Sequence, residues 1–212
     1  MLDRHVVPLL KAPLGQLARA LDAGGATADG ASLAGFVIGL GSVAAMATGH
    51  PALALVLLLF NRLADGVDGE LARLQGPSDA GAFIDISLDF IFYALFPLGF
   101  AFADPAQNAL PAAVLIASFV GTGASFLAFA GQAERHGIAH PAFAYKGFYY
   151  LDGLAEGTET ILCFVLMCLF PDAFAVIAWA FTALCALTAL NRVIFGYRTL
   201  RAQSSVGIRH DS

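Results

Sequence analysis

Six long apolar segments, at residues 31–48, 51–72, 82–103, 109–131, 150–170 and 173–196, constrain this chain more than any other feature. Each falls within the roughly 17–25 residues that carry a helix across ~30 Å of hydrocarbon. A backbone entering lipid must satisfy its own N–H and C=O groups, so such segments fold as helices. The breaks between them are short. Gly49-His50-Pro51, Gly76-Pro77, Asp104-Pro105 and Pro171-Asp172 each stop a helix. The expected fold is an all-α integral membrane protein with six transmembrane helices.

Composition excludes most other classes. Hydrophobic residues make up 58% and charged residues 13%, the latter about half the share of a soluble domain. A disordered chain, a disulfide-rich secreted domain and a nucleic-acid binder with a basic face are ruled out. The net charge of −5 implies no polyanionic partner. Cys163, Cys168 and Cys185 all lie in apolar runs and read as small buried hydrophobes.

Basic residues set the orientation. With the N-terminus cytoplasmic, Arg4, Lys11, Arg19, Arg73, Arg135, Lys146, Arg198, Arg201 and Arg209 fall on the inner side. Arg62 and Arg192 fall in the cytoplasmic halves of their spans, which leaves none of the 11 Lys and Arg outside. The expected topology is N-in/C-in. Residues 2–21 carry Val6, Leu10, Leu14, Leu17 and Leu21 at helical spacing, and read as an amphipathic interfacial helix interrupted near Pro8 and Pro13. Residues 31–196 would form the bundle and 197–212 a cytoplasmic tail, all within one domain spanning 1–212.

The chemistry concentrates where the second and third spans meet the cytoplasm. Asp65 and Asp68 are i,i+3, and Asp85 and Asp89 are i,i+4, so each pair shares a helix face. The loop at 74–80 makes the two helices an antiparallel hairpin. Counted from that loop at ~1.5 Å per residue, Asp68 and Asp85 lie roughly 6–8 Å deep and Asp65 and Asp89 roughly 12 Å deep. The four acids form two matched layers. Carboxylates inside a membrane helix mark function by default, and four of them cannot all ionise without counter-charge. An all-oxygen cluster suits Mg²⁺ or Mn²⁺. Gly66, Gly69 and Ala72 leave the second span nearly bare beside the acids, and Arg73 at the mouth can meet a phosphate. Metal-assisted phosphoryl transfer, with two ions bridging a pyrophosphate, is the matching chemistry.

The pattern Asp65-x2-Asp68-Gly69-x2-Ala72-Arg73-x7-Gly81-x3-Asp85-x3-Asp89 resembles the signature of the CDP-alcohol phosphotransferases (CDP-alcohol phosphatidyltransferases). Stretches such as Phe83-Ile84-Asp85-Ile86-Ser87-Leu88-Asp89-Phe90 and Glu156-Gly157-Thr158-Glu159-Thr160 are similar to a short bacterial inner-membrane subgroup. The resemblance implies transfer of a substituted phosphate, a phosphatidyl group, from a CDP-alcohol such as CDP-diacylglycerol to an acceptor alcohol. CMP is released, in phospholipid biosynthesis. It implies that Asp65, Asp68 and Asp85 hold two Mg²⁺ or Mn²⁺ ions. By the same likeness Asp89 completes the metal site and takes the proton of the attacking hydroxyl. Gly69, Ala72, Arg73 and Gly81 would serve the nucleotide. It further implies a homodimer in the cell inner membrane with the active site facing the cytoplasm.

Two features depart from the family pattern. Seven residues separate Arg73 from Gly81 where the family often has eight, which implies a tighter turn. Ala28-Asp29 stands where the family often has Pro-Asn.

Glu156 and Glu159 share one face of the fifth span, at a depth like that of the Asp cluster. With Lys146 upstream they form a candidate acceptor pocket, and Tyr149 and Tyr150 read as interfacial belt residues. Two carboxylates near aromatics suit an acceptor without a phosphate group. His136 and His140, beside Gly137 and Pro141, read as solvated loop. Ser118, Gly121, Thr122 and Ser125 read as a helix-packing face, the candidate dimer contact. The competing reading from another class is a divalent-cation transporter. Against it, the acids cluster at one end and no repeat supports alternating access. An intramembrane prenyltransferase also uses Asp and Mg²⁺, but with more spans and differently spaced acids.

Overall fold

The computed structural model describes residues 3–135 and 154–207, with side chains described for 8–135 and 154–202. The helices are α1 (Asp3–Ala23), α2 (Ala28–Ala47), α3 (Pro51–Gln75), α4 (Asp79–Ala103), α5 (Pro105–Arg135), α6 (Gly157–Leu169) and α7 (Phe174–Gly207). A 3-10 turn at Pro171–Ala173 joins the last two. No strand occurs among the described residues. By length and apolarity, α2, α4, α5 and the stretch Pro171–Ala202 can cross a membrane. α3 is long enough but carries Arg62, Asp65, Asp68, Glu70 and Arg73.

Two elements differ from the sequence expectation. α1 runs unbroken through Pro8 and Pro13. Each proline removes one backbone hydrogen bond, but residues 8–13 are on an exposed part of the helix where other partners can take the freed carbonyls. Of the fifth span, expected over 150–170, residues 150–153 lie outside the described residues, and among the described ones the helix begins at Gly157. The backbone N–H groups of Leu154 and Ala155 donate instead to the Thr188 hydroxyl of α7, at 3.0 and 3.1 Å. Those donors are tied to another helix, and the chain enters α6 through an extended Glu156.

The core is a ladder of aromatics. Phe92, Phe96 and Phe100, four apart on α4, are completely buried. Phe96 stacks on Phe164 of α6 with ring centroids 4.4 Å apart, and Phe100 on Phe174 of α7 at 4.4 Å. Such contacts contribute about 0.5–1.5 kcal/mol each beyond area burial. Large apolar side chains such as Val37, Phe60, Val120 and Val176 face outward, as helices facing lipid require. The three cysteines are free and buried.

α2 is the keystone near the acids. It packs extensively on both α3 and α4, because its glycines let neighbours come close. A β-carbon on Gly35 would lie 2.9 Å from Ala64 Cβ of α3, and one on Gly39 2.8 Å from the Phe92 ring of α4. The expected α3–α4 hairpin is therefore opened by a third helix. On the far side α5 packs on α7: Gly121 faces Ala189, and Arg192 donates to the Thr122 carbonyl at 3.2 Å. The small-residue face expected to meet a second chain is used, at these positions, within this one.

Candidate active site

The acid-bearing ends of α3 and α4 are joined by only three residues, Gly76, Pro77 and Ser78. Gly76 takes φ of +97°, a conformation that favours glycine. Ser78 caps α4 by accepting the Gly81 N–H at 3.0 Å. The turn expected over 74–80 is tighter than a seven-residue loop, and the two acid pairs still face each other.

Asp65, Asp68 and Asp85 each present a carboxylate oxygen within 4.8 Å of the other two. Asp68 is buried. Three converging carboxylates fit a hard divalent cation, because such ions take oxygen donors and need negative charge nearby. Asp89 lines the same crevice, together with Ser32, Asn61 and Arg62, but it points to a different partner. Arg62 NH2 donates to Asp89 Oδ1 at 2.9 Å, and Arg62 NH1 lies 3.5 Å from Asp65 Oδ2. The deeper layer of the expected pair of layers is thus bridged by a guanidinium.

Arg62 is itself fixed from several sides. Its Nε donates to Asn61 Oδ1 at 2.7 Å and its NH1 to the Tyr93 hydroxyl at 3.2 Å. Its charge lies 5.1 Å from the Phe92 ring centroid and 5.4 Å from that of Tyr93. Asn61, buried, donates from Nδ2 to the Gly35 carbonyl at 2.9 Å, which ties the arrangement to α2.

Above the crevice, and sharing Ser32, Asp68 and Asp85 with it, opens a cavity of about 310 Å³. Asp29, Gly69, Ala72 and Gly81 line it. A β-carbon on Gly69 would meet no atom within 4 Å, so that backbone is open to the cavity. Gly66 is not: its bare face holds Leu14 of α1. Gln75 fastens the rim. Its Nε2 donates to Asp22 Oδ1 and to the Ala26 carbonyl, both at 2.8 Å, and its Oε1 accepts the Ala28 N–H at 3.2 Å.

Other expected site residues lie elsewhere. Arg73 pairs with Glu70 and is absent from the cavity lining. Glu156 precedes α6, and Glu159 lines an apolar cavity with Leu162, Cys163 and Phe181, apart from the acids. Lys146, Tyr149, Tyr150, His136 and His140 lie outside the described residues. Ser32, Gln75 and the bracing role of Asn61 escaped sequence reasoning. The one available signal was the polar pair Asn61-Arg62 inside an apolar run.

A family model described as CDP-alcohol phosphatidyltransferase matches residues 27–190. The Inner membrane protein YnjF of Escherichia coli (strain K12) is 55% identical over 202 residues, covering 95% of this chain and 98% of that protein. Among solved structures, Mycobacterium tuberculosis phosphatidylinositol phosphate synthase (PgsA1) with CDP-DAG bound superposes with a TM-score of 0.64 at 18% identity, covering 87% of this chain and 93% of that one. The same synthase in complex with manganese and citrate also gives 0.64 at 18% identity, over 87% and 88% of the two chains. At that identity the likeness is one of fold.

Proposed function

From the premise that this chain belongs to the CDP-alcohol phosphatidyltransferase family, we propose that it transfers a phosphatidyl group from CDP-diacylglycerol to an acceptor alcohol at the Asp65, Asp68, Asp85 site. One observation carries the reading. Three carboxylates converge in the crevice, and two of them, Asp68 and Asp85, also line the cavity above it, whose wall is bare backbone at Gly69. Anionic oxygens suit a divalent cation, and an open glycine wall lets a nucleotide lie close. CDP-DAG bound to the mycobacterial synthase of the same fold supports the donor, and manganese in that synthase supports the metal.

In this reading Asp65, Asp68 and Asp85 hold Mg²⁺ or Mn²⁺, which when bound neutralises the donor's pyrophosphate. Gly69, Ala72 and Gly81 admit the nucleotide, and Arg73 supports its site from the rim. The acceptor hydroxyl oxygen attacks the phosphorus that bears the lipid alcohol. The bond from that phosphorus to the CMP oxygen breaks, and CMP leaves. The hydroxyl proton passes to Asp89, whose Oδ1 is steadied by Arg62. The only basic side chain lining the two cavities among the described residues is Arg62, already paired with acids. This favours an acceptor without a phosphate group. Glu156, Glu159 and Lys146 stand as further acceptor-side candidates.

The setting proposed is one domain over residues 1–212 with six spans, N-in/C-in, in the cell inner membrane. The site faces the cytoplasm and the protein is a homodimer. The relative's inner-membrane designation and the apolar outer faces support the membrane, and the distribution of Lys and Arg supports the orientation.

The test is CMP release by purified protein given CDP-diacylglycerol and a panel of alcohols, with and without Mn²⁺. Metal-dependent CMP release that needs an acceptor is expected. No CMP release with any acceptor, together with Mn²⁺ flux into proteoliposomes, would replace the reading with transport.

A further inference from the structure

We propose that Gln75 is a positioning residue for the donor nucleotide: its single amide clasps the end of α1, the start of α2 and the end of α3 together, and so fixes the width of the cavity above the acids. The inference rests on the phosphatidyltransferase reading and adds to it a residue at one of the unspecified positions of the aspartate pattern.

Three groups at the cavity mouth come from the turn between α1 and α2. Ala28 is the first residue of α2, so its N–H has no acceptor within the helix. The Ala26 carbonyl lies in the connection, and Asp22 stands one residue before the end of α1. Gln75, the last residue of α3, meets all three. Its Nε2 donates to Asp22 Oδ1 and to the Ala26 carbonyl, both at 2.8 Å, and its Oε1 accepts the Ala28 N–H at 3.2 Å. Both N–H donors and one lone pair of the oxygen are thus spent within the chain. An amide turned over would set its oxygen against a carboxylate and a carbonyl, so the three partners allow one orientation. A glutamate in its place would have no donor, and an asparagine would be one methylene too short.

What the clasp holds is a wall of the cavity. Thr27, Ala28, Asp29 and Ser32 line it from the start of α2, and Gly69 and Ala72 line it from α3. The Thr27 hydroxyl accepts the Gly30 N–H at 3.1 Å, so the first turn of α2 is capped and moves as a unit. That turn also reaches α4, since a β-carbon on Gly81 would lie 3.0 Å from Asp29 Oδ1. Deeper down, α2 is held to α3 by a separate bond, from Asn61 Nδ2 to the Gly35 carbonyl at 2.9 Å. Loosening Gln75 therefore shifts the mouth, where the nucleotide lies in this reading, and leaves the crevice and its carboxylates in place. The effect belongs to donor binding and not to the chemical step.

The experiment measures CMP affinity by calorimetry in the presence of Mn²⁺, alongside kcat and KM for CMP release from CDP-diacylglycerol. Gln75→Ala is expected to raise the Kd of CMP and the KM of the donor roughly 3–10-fold, the scale of one net hydrogen bond. Its kcat and its KM for the acceptor should stay at the wild-type values. Asp22→Ala removes one partner of the amide and is absent from the cavity lining. It should raise the Kd of CMP in the same direction, and the double variant should be no worse than Gln75→Ala alone, because both break one clasp. Unchanged CMP affinity in Gln75→Ala would overturn the proposal. So would a loss in Gln75→Ala with none in Asp22→Ala, which would make Gln75 a direct nucleotide contact, and so would a fall in kcat and thermal stability at constant CMP affinity. If Gln75→Ala does not fold, Asp22→Ala decides alone, and unchanged CMP affinity there overturns the proposal. A wild-type chain that binds no CMP would overturn the nucleotide site and the phosphatidyltransferase reading, and the proposal with them.

Discussion

Leu14 of α1 sits against Gly66 of α3 so closely that a β-carbon on the glycine would lie 2.8 Å from Leu14 Cδ1. Around this contact Ala18, Val67 and Leu71 form a small buried cluster of their own. The N-terminal helix is thereby fastened to the back of the helix that carries Asp65 and Asp68. Gly66→Val should push α1 away, with the loss of about 1–3 kcal/mol that overpacking brings. Thermal unfolding in mild detergent measures the loss, and faster protease cleavage within α1 locates it. An unchanged melting temperature with α1 still protected would show that the contact is not what docks the helix.

Gly69, three residues on, supplies the contrast. No atom lies within 4 Å of its would-be β-carbon, so Gly69→Ala should not disturb packing. In a helix interior it should stabilise by about 0.5–1 kcal/mol. If the nucleotide lies against this backbone, the added methyl raises KM for the CDP-alcohol while KM for the acceptor stays put. Equal effects on both substrates, or none, would remove Gly69 from the donor site.

Asp68→Asn and Asp85→Asn test the floor of the cavity. Both residues contribute to the three-carboxylate group, and each substitution removes a charge while keeping the shape. CMP release should fall to background while the proteins insert and purify as the wild type does. Wild-type turnover by both variants in chelator-treated buffer would end the metal-dependent reading.

How much of this was legible in the sequence depends on the range of the interaction. The ends of α2 to α5 follow local punctuation: Gly49 at φ of +77°, Pro51, Gly76, Ser78 and Pro105 each act on their own turn. Helical spacing and depth led to four acids in two matched layers, of which Asp65, Asp68 and Asp85 converge while Asp89 turns to Arg62. What spacing did not reveal was set by side chains from distant parts of the chain. Thr188 takes the backbone donors of Leu154 and Ala155 and so delays α6. Gly35 and Gly39 let α2 come between α3 and α4. Arg62 turns Asp89 toward itself, a choice among partners that one-dimensional spacing does not resolve. That hydrogen bond, Arg62 NH2 to Asp89 Oδ1, decides which acid stands apart.

Asp89→Asn separates binding from chemistry. The asparagine carbonyl oxygen can still accept the Arg62 hydrogen bond made now to Asp89 Oδ1 at 2.9 Å, so the local arrangement survives. What is lost is the group proposed to take the proton. Transfer should drop by roughly 10²–10⁴-fold, the usual scale for a general base, with CDP-diacylglycerol affinity unchanged by a direct binding measurement. Donor binding that falls in parallel with turnover would instead make Asp89 an ion ligand.

The class of acceptor follows from the charges near the reacting centre. A phosphorylated alcohol brings nearly two negative charges, and it must be met by basic side chains close to Asp89. Among the described residues that line the crevice and the cavity, Arg62 is the one candidate, and its guanidinium is held by Asp89, Asn61 and Tyr93. Arg73 is engaged with Glu70, and Arg192 bonds the Thr122 carbonyl and lies over Phe126. Asp29 adds a carboxylate to the cavity wall, which opposes an anion and favours hydroxyl or cationic groups. A neutral polyol or a cationic alcohol should therefore be preferred. Competition at equal concentrations tests this directly, with glycerol against glycerol 3-phosphate and inositol against inositol phosphate. The unphosphorylated partner should dominate product formation in each pair. Preferential use of either phosphate ester would mean that basic residues elsewhere in the chain, Lys146 among them, reach the acceptor and reverse the local charge balance.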